Sequence, residues 1–243
     1  MSLSQPSGGN ERFNSEAANW DTNPVVLEAT HNAFQALKPI IQAISTSSAN
    51  APNVLEVGCG TGLLTIQVAG LVQTIVAIDP AEGMIKRLQQ KLELKSAPKN
   101  VLPIARLLED AEDPMLPPAD PAQTAGERRK FDLVISHLVL HHVPDLEPFL
   151  KVLLRCLKPG GRVALTDFED FGPQAKYFHP PSKLEGVERH GIKRDWIARL
   201  MEEVGFTEVN VWIGWTMDVS TDQWSDAPAT MPFPFLVCEG TRP

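Results

Sequence analysis

VLEVGCGTG, the stretch from Val54 to Gly62, is the most informative part of the chain. A short run of mainly apolar residues leads into Gly58, Gly60 and Gly62, which stand at alternate positions. Because glycine has no Cβ, its backbone can turn tightly and approach a ligand closely, with a helix N-terminus behind it. The stretch therefore predicts a buried strand, a ligand-binding turn and a helix.

An acidic residue follows at the distance expected in a doubly wound nucleotide-binding fold. Asp79 ends the next apolar run, where a carboxylate can accept hydrogen bonds from both ribose hydroxyls. The dinucleotide fingerprint also requires a third glycine or an alanine at the sixth position, and Leu63 stands there. The spacing thus favours a nucleoside ligand without a pyrophosphate, and an NAD-dependent oxidoreductase remains the alternative.

Strand and helix patterns alternate from residue 54 to residue 166, which predicts crossover units and a parallel sheet. Two helical patterns, Phe13–Asp21 and Val25–Ile44, precede the first strand. The predicted class is therefore α/β, a Rossmann-like sheet of seven mostly parallel strands with helices on both faces and entry helices at the N-terminus. We expect a flexible tail over residues 1–12 and one domain over 13–243. Its core covers about 50–170, and a lid with closing strands covers 168–243.

Composition excludes several classes of function. The net charge of −8 and the scattered basic residues disfavour nucleic-acid binding. No apolar run is long enough to cross a bilayer, so no membrane partner is expected. The three cysteines are odd in number and lack a Cys-x-x-Cys pair, which predicts neither a disulfide framework nor a zinc site and fits a cytoplasmic location. Nothing in the sequence indicates the oligomeric state.

With Glu56 added, the glycine loop reads Glu-x-Gly-x-Gly-x-Gly and resembles motif I of the class I S-adenosylmethionine-dependent methyltransferases. An acidic residue beside the loop is compatible with a positively charged sulfonium, whereas it would repel a pyrophosphate. Later segments resemble the same family in order and spacing, above all the small-molecule members, including those of quinone biosynthesis. They are Ile78–Met84, Leu108–Glu112, Phe131–Ser136 with Leu140–Val143, and Leu153–Leu165.

The resemblance implies S-adenosylmethionine as cofactor and a set of residues that contact it. Asp79 would take the ribose hydroxyls, Met84 would lie against adenine, and Asp110, or Glu109 beside it, would meet the adenine amino group. Ser136 follows in the fourth motif. The full implied set is Glu56, Gly58, Gly60, Gly62, Asp79, Met84, Asp110 and Ser136.

Three histidines follow the fourth predicted strand, at the edge where ligands of open α/β sheets bind. His137, His141 and His142 are therefore the candidate general bases, although a histidine at this position can also simply donate to a backbone carbonyl and line the pocket wall. His137 and His141 also have a spacing that can hold zinc on a helix. Without an accompanying acidic ligand, and with Pro144 breaking the segment, no metal site is expected.

The predicted function is methyl transfer by direct displacement to an oxygen, nitrogen, sulfur or carbon atom of a small intracellular molecule. Because fold does not fix substrate, a protein methyltransferase remains an alternative. The identity of the acceptor, and whether it needs a base, do not follow from the sequence.

Overall fold

The computed structural model describes residues 7–47, 50–122 and 126–243, and within them seven strands form one sheet. The strands are β1 Asn53–Val57, β2 Thr74–Asp79, β3 Val101–Ala105, β4 Phe131–His137, β5 Leu157–Phe168, β6 Thr207–Ser220 and β7 Thr230–Thr241. Their order is β3-β2-β1-β4-β5-β7-β6. The first five are parallel, and β7 runs antiparallel between β5 and β6. The predicted α/β class with a mostly parallel seven-stranded sheet is confirmed.

Six α-helices accompany the sheet in the described residues: α1 Ser7–Glu16, α2 Pro24–Ser47, α3 Leu63–Ala69, α4 Glu82–Leu92, α5 Leu146–Cys156 and α6 Arg194–Val204. Both faces of the sheet are covered. Val54 packs in a cluster with Leu37 and Ile41 of α2, while its neighbour Leu55 packs in a second cluster with Leu150 of α5. Since successive side chains of a strand point to opposite faces, a strand buried on both sides reads as the continuous apolar run seen in the sequence.

The parallel strands bring the chemically informative residues to one edge. Val57, Asp79, His137 and Phe168 end β1, β2, β4 and β5 respectively. The strand order reverses between β1 and β4, and open α/β sheets bind ligands in the crevice at such a point. The topology therefore places the glycine loop beside the histidines. Among the described residues, no helix combines the length and apolar character needed to cross a membrane.

The first helix begins before the helical pattern predicted at Phe13. Residues 1–6 lie outside the described part, and α1 begins at Ser7, within the segment predicted to form a flexible tail. The cause is tertiary, since the Arg12 guanidinium donates to the carbonyls of Lys183 and Glu185, each at 2.7 Å. Strands β6 and β7 pair with each other from Thr207↔Thr241 to Ser220↔Thr230.

Position 62, directly before α3, requires glycine because of both its backbone conformation and its surroundings. Its φ is +80°, and an added Cβ would lie 2.3 Å from Cδ1 of Leu88. We expect Gly62→Ala to lower the free energy of unfolding by about 2–4 kcal/mol, from left-handed strain and overpacking together. Urea denaturation measures the change.

Gly70 at the other end of α3 supplies the control. Its φ is −71°, and an added Cβ there would meet nothing within 4 Å. Gly70→Ala should leave stability unchanged or raise it by about 0.4–1 kcal/mol. Equal losses in both variants would contradict this account of the loop.

Candidate cofactor and acceptor site

The three loop glycines have different roles in the structure. All have positive φ, +76° at Gly58, +52° at Gly60 and +80° at Gly62. Side chains fill the space beside Gly58 and Gly62, and an added Cβ on Gly58 would lie 2.2 Å from Cγ2 of Val139. An added Cβ on Gly60 would meet only the indole nitrogen of Trp20, at 3.9 Å. The open side of the loop is therefore at Gly60.

Asp79 ties the glycine loop to the start of α4. One carboxylate oxygen accepts the Gly60 amide and the other accepts the Ala81 amide, both at 2.8 Å. Desolvation raises the pKa of Asp79 to about 6, although these two amide donors act in the opposite direction. Hydroxyl donors from a ribose would stabilise the charged carboxylate further.

Glu56 lies beneath the loop and is buried, with 2% of its surface exposed. The hydroxyl of Thr65 on α3 donates to its carboxylate at 2.6 Å. Desolvation raises the pKa of Glu56 to about 8, while the Thr65 hydrogen bond lowers it and the nearby Asp79 charge raises it. A cation bound at the loop would favour the charged form of this group.

The N-terminal segment covers the loop. The Asn14 side-chain oxygen accepts the Gly83 amide at 2.7 Å. Asp21 accepts the Thr61 hydroxyl at 2.5 Å and pairs with Lys91 at 2.6 Å. These contacts hold Trp20 beside Gly60, so the segment covers part of the loop and is called its roof below.

Three further residues from the sequence prediction lie in different surroundings. Ser136 is buried, and its hydroxyl donates to the carbonyl of Val57 at 2.7 Å, next to the glycine loop. Met84 is buried beneath α1, in a cluster with Ala17. Asp110 is exposed and pairs at 3.3 Å with Arg155, which lies in the last turn of α5. No described contact joins Asp110 to the glycine loop.

His137 is the first of the candidate bases. It is buried, and its Nδ1 lies 2.8 Å from the hydroxyl of Thr166, whose own proton is directed to the carbonyl of Ser136. Its Nε2 is buried with no partner among the described residues. Desolvation lowers the pKa of His137 to about 4, which the charge of Asp167 partly offsets, so the ring is neutral. The next residue, Leu138, has a positive φ of 57°, which marks a strained turn after β4.

His141 and His142 form a short 3₁₀ helix with Leu140 after this turn. The Asp167 carboxylate accepts the His141 backbone amide at 3.1 Å and lies 2.8 Å from its Nδ1. Desolvation lowers the pKa of His141 to about 3 and raises that of Asp167 to about 6, so at neutral pH a neutral imidazole donates to a carboxylate. Nδ1 of His142 lies 2.6 Å from the carbonyl of Gly186, and burial lowers the pKa of His142 to about 3.

His179 also belongs to this site, although the sequence did not indicate it. It follows a 3₁₀ helix, Pro173–Phe178, in the segment predicted to form a lid. Its ring centroid lies 5.0 Å from that of His141 and 6.0 Å from that of His142. A single histidine in a proline-rich loop carries no spacing signal, and only the folding of the loop over the sheet edge brings it here.

A groove of about 570 Å³ lies at the opposite edge of the sheet, where β1 and β2 begin at Asn53 and Thr74. Basic side chains, including Arg128 and Lys130, line it. Because ligands of open α/β sheets bind at the carboxyl edge, this groove is not the cofactor site.

The comparison with protein-family models agrees with this geometry. The model described as a methyltransferase domain matches residues 29–211, most of the chain. The chain belongs to the class I S-adenosylmethionine-dependent methyltransferases. The resemblance predicted from the glycine loop is therefore confirmed, and membership of this family supports methyl transfer over the NAD-dependent oxidoreductase alternative.

Curated relatives of this methyltransferase share only part of their length with it. An uncharacterized methyltransferase of Schizosaccharomyces pombe is 26% identical over 178 residues, which cover 66% of this chain and 58% of the relative. The human mitochondrial ubiquinone biosynthesis O-methyltransferase is 32% identical over 118 residues, which cover 46% of this chain and 28% of the relative. The chain thus spans less than two thirds of these proteins.

A solved methyltransferase structure matches over nearly the full length. The N-methyltransferase NodS of Bradyrhizobium japonicum, in complex with S-adenosylhomocysteine, has a TM-score of 0.59 and 18% identity, and the match covers 98% of this chain and 100% of that one. At this identity the match establishes the shared fold.

The raised pKa of Glu56 makes the stability of the methyltransferase depend on pH. A carboxyl group whose pKa is raised on folding stabilises the folded state fully below its unfolded pKa, near 4.5, and loses that contribution as pH rises towards 8. The loss from this one group is up to about 1.4 kcal/mol per pH unit. We therefore expect the stability of Glu56→Gln, relative to wild type, to improve from pH 5 to pH 8.

Urea denaturation at several pH values measures this difference. Glutamine retains an oxygen that accepts from the Thr65 hydroxyl, so the substitution removes the charge and preserves that hydrogen bond. Glu28→Gln, at an exposed position on α2, serves as the control and should follow the wild type. A Glu56→Gln curve parallel to wild type across the range would show that Glu56 does not titrate in this window.

Proposed function

We propose that this chain transfers a methyl group from S-adenosylmethionine to an oxygen, nitrogen, sulfur or carbon atom of a small molecule. The observation that carries the proposal is the pairing of the Asp79 carboxylate with the open glycine loop at the sheet's switch point. A ribose can lie against that carboxylate, since Gly60 leaves space that a side chain would fill.

The glycine loop, Asp79 and Glu56 would hold the cofactor, whose chemistry is to present a methyl group on a positively charged sulfur. The two buried or partly buried carboxylates supply negative charge near that cation. Ser136 supports the loop from β4 through the Val57 carbonyl. Met84 and Asp110 complete the proposed set of cofactor contacts. Met84 is buried and Asp110 pairs with Arg155 away from the loop, so contact of adenine with either residue requires a local rearrangement.

The roof formed by Asn14, Trp20 and Asp21 contributes to catalysis by excluding water. Positioning donor and acceptor in line can supply about 7–11 kcal/mol of the barrier reduction, and closure of the site preserves that alignment. His137, His141 and His142 lie on the acceptor side of the crevice and are proposed to contact the acceptor. Their rings are neutral, so a nitrogen lone pair is available on each.

The relatives support a small-molecule acceptor. The human relative is named for ubiquinone biosynthesis, and a magnesium protoporphyrin IX methyltransferase of Synechocystis with bound S-adenosylhomocysteine shares the fold, with a TM-score of 0.62 and 19% identity. We also propose a single domain over residues 13–243. A cytoplasmic location remains a prediction, with three free cysteines in its support.

A labelling experiment tests the activity. The protein is incubated with methyl-labelled S-adenosylmethionine and a cell extract separated into small-molecule and protein fractions. We expect the label in the small-molecule fraction. Label confined to protein would favour the protein methyltransferase alternative, and label in neither fraction, with cofactor binding intact, would argue for a non-catalytic module.

Asp79→Ala should weaken binding of S-adenosylhomocysteine about 10- to 100-fold, because hydrogen bonds to a charged group contribute about 1.5–3 kcal/mol. Isothermal titration calorimetry measures the affinity. Asp110→Ala is the matched comparison, because the Asp110 carboxyl is exposed and its assignment as a cofactor contact has less structural support than that of Asp79. Unchanged affinity in Asp79→Ala would remove Asp79 from the site.

Cofactor affinity should also rise with pH. In the free protein Asp79 has a pKa of about 6, whereas ribose hydroxyls bind its charged form, so binding releases a proton below that pH. We expect the affinity for S-adenosylhomocysteine to increase from pH 5 to pH 7.5 by up to about tenfold per pH unit below pH 6. Asp79→Asn removes the titrating group and should reduce the slope; equal slopes in the two proteins would reject Asp79 as the source.

A further inference from the structure

Three histidines converge at the acceptor side of the site. His141 and His142 come from the turn after β4, and His179 comes from the segment that folds over it. One ring nitrogen of each lies within 4.8 Å of the other two. These three residues are called the histidine cluster below.

Two members of the cluster have their protons directed away from its centre. The Asp167 carboxylate and the Gly186 carbonyl can only accept hydrogen bonds, so Nδ1 carries the proton in both His141 and His142. Their Nε2 atoms therefore carry lone pairs. This arrangement, in which a carboxylate or carbonyl fixes the ring through the other nitrogen, is the one that surrounds metal-binding histidines.

Two nitrogens of the cluster are buried without a hydrogen-bond partner among the described residues, namely Nε2 of His141 and Nδ1 of His179. A buried polar atom without a partner costs about 1–3 kcal/mol. Two such atoms in adjacent rings require an explanation, and an electrophilic ligand shared between them provides one.

We propose that the histidine cluster binds a divalent transition-metal ion, with zinc as the best match. Imidazole nitrogen suits zinc, and three histidines with an open fourth position form a ligand set of catalytic zinc sites. Zinc–nitrogen bonds of about 2.0–2.1 Å place tetrahedral ligands about 3.3 Å apart. The ring nitrogens of the cluster now lie within 4.8 Å of one another, so they would have to move closer for all three to bind one ion.

Charges of both signs lie near the cluster. Asp167 is fully buried against His141 and contributes negative charge directly behind a ligand. The nearby guanidinium groups are directed to carbonyl oxygens: Arg12 donates to Lys183 and Glu185, and Arg189 donates to Leu140, Val143 and Pro144. These arginines fix the two segments that carry the ligands.

This inference rests on the proposed methyl transfer and specifies how the acceptor is held. The fourth position of the ion suits a hydroxyl or thiol acceptor, which would lose its proton to solvent on binding. The lone pair left on that oxygen or sulfur forms the bond to the methyl carbon, and the electron pair of the broken carbon–sulfur bond remains on the cofactor sulfur. His141 and His142 then act as ligands, and His137 lies outside the cluster.

Metal analysis of the full chain tests the site. The protein is stripped with a chelator, reloaded with zinc, dialysed and measured by inductively coupled plasma mass spectrometry, with thermal unfolding recorded with and without zinc. We expect about one zinc per chain and a rise in melting temperature. His179→Ala and His142→Ala should lose most of the zinc and of the shift.

Two matched controls separate this cluster from other histidines. His190→Ala removes an exposed histidine of the same segment, and His137→Gln removes a buried histidine near the cluster; both should retain the zinc. Visible absorption of the cobalt-loaded protein should indicate tetrahedral nitrogen ligation in wild type and lose that signature in His179→Ala.

Calorimetry with S-adenosylhomocysteine distinguishes failure of this inference from failure of the proposed function. Wild-type protein that binds S-adenosylhomocysteine but retains no more zinc than a His141→Ala/His142→Ala/His179→Ala variant would overturn the metal site alone. Zinc retained equally by wild type and His179→Ala would place the metal elsewhere and overturn it as well. Folded wild-type protein that does not bind S-adenosylhomocysteine would instead count against the proposed methyl transfer.

Discussion

The Asp79 carboxylate makes two hydrogen bonds on which the proposed cofactor site depends. By accepting the amides of Gly60 and Ala81, it fixes the turn after β1 and the start of α4 relative to each other. The carbonyl of Ile78, one residue earlier, accepts the amides of Gly58 and Cys59 and joins the same two strand ends. A loop held at so many points keeps its shape before a ligand arrives, so less ordering entropy is lost on binding.

Two carboxyl groups at the glycine loop are withdrawn from water. Glu56 and Asp79 both have raised pKa values because the surrounding protein desolvates them. Desolvated carboxylates destabilise the free protein at neutral pH, and a cationic ligand offsets that cost. The same groups that weaken the fold therefore favour a sulfonium cofactor, which is a common relation between stability and function at binding sites.

The proposed acceptor side is assembled from segments distant in sequence. After the strained turn at Leu138, His141 contacts Asp167 on β5 and His142 contacts the carbonyl of Gly186. Arg189 joins that turn to the segment carrying His179. The N-terminal helix closes the assembly from above, because Arg12 contacts that segment and Phe13 lies against both Trp20 and His142. The roof of the glycine loop and the proposed acceptor side are thus parts of one contact network.

The sequence by itself determined the family and the sheet, and it predicted the residues of the cofactor half of the site. The sequence shows these as local patterns: glycines at alternate positions, apolar runs of strand length and an acidic residue at the end of the next strand. Local steric constraints and the tendency of apolar residues to be buried are enough to interpret such patterns. Only the tertiary structure decided that Ser7–Arg12 is helical, that Asp110 lies away from the loop beside Arg155, and that His179 joins His141 and His142. These features depend on side-chain contacts between residues far apart in the chain, and such contacts leave no periodicity or spacing in the sequence.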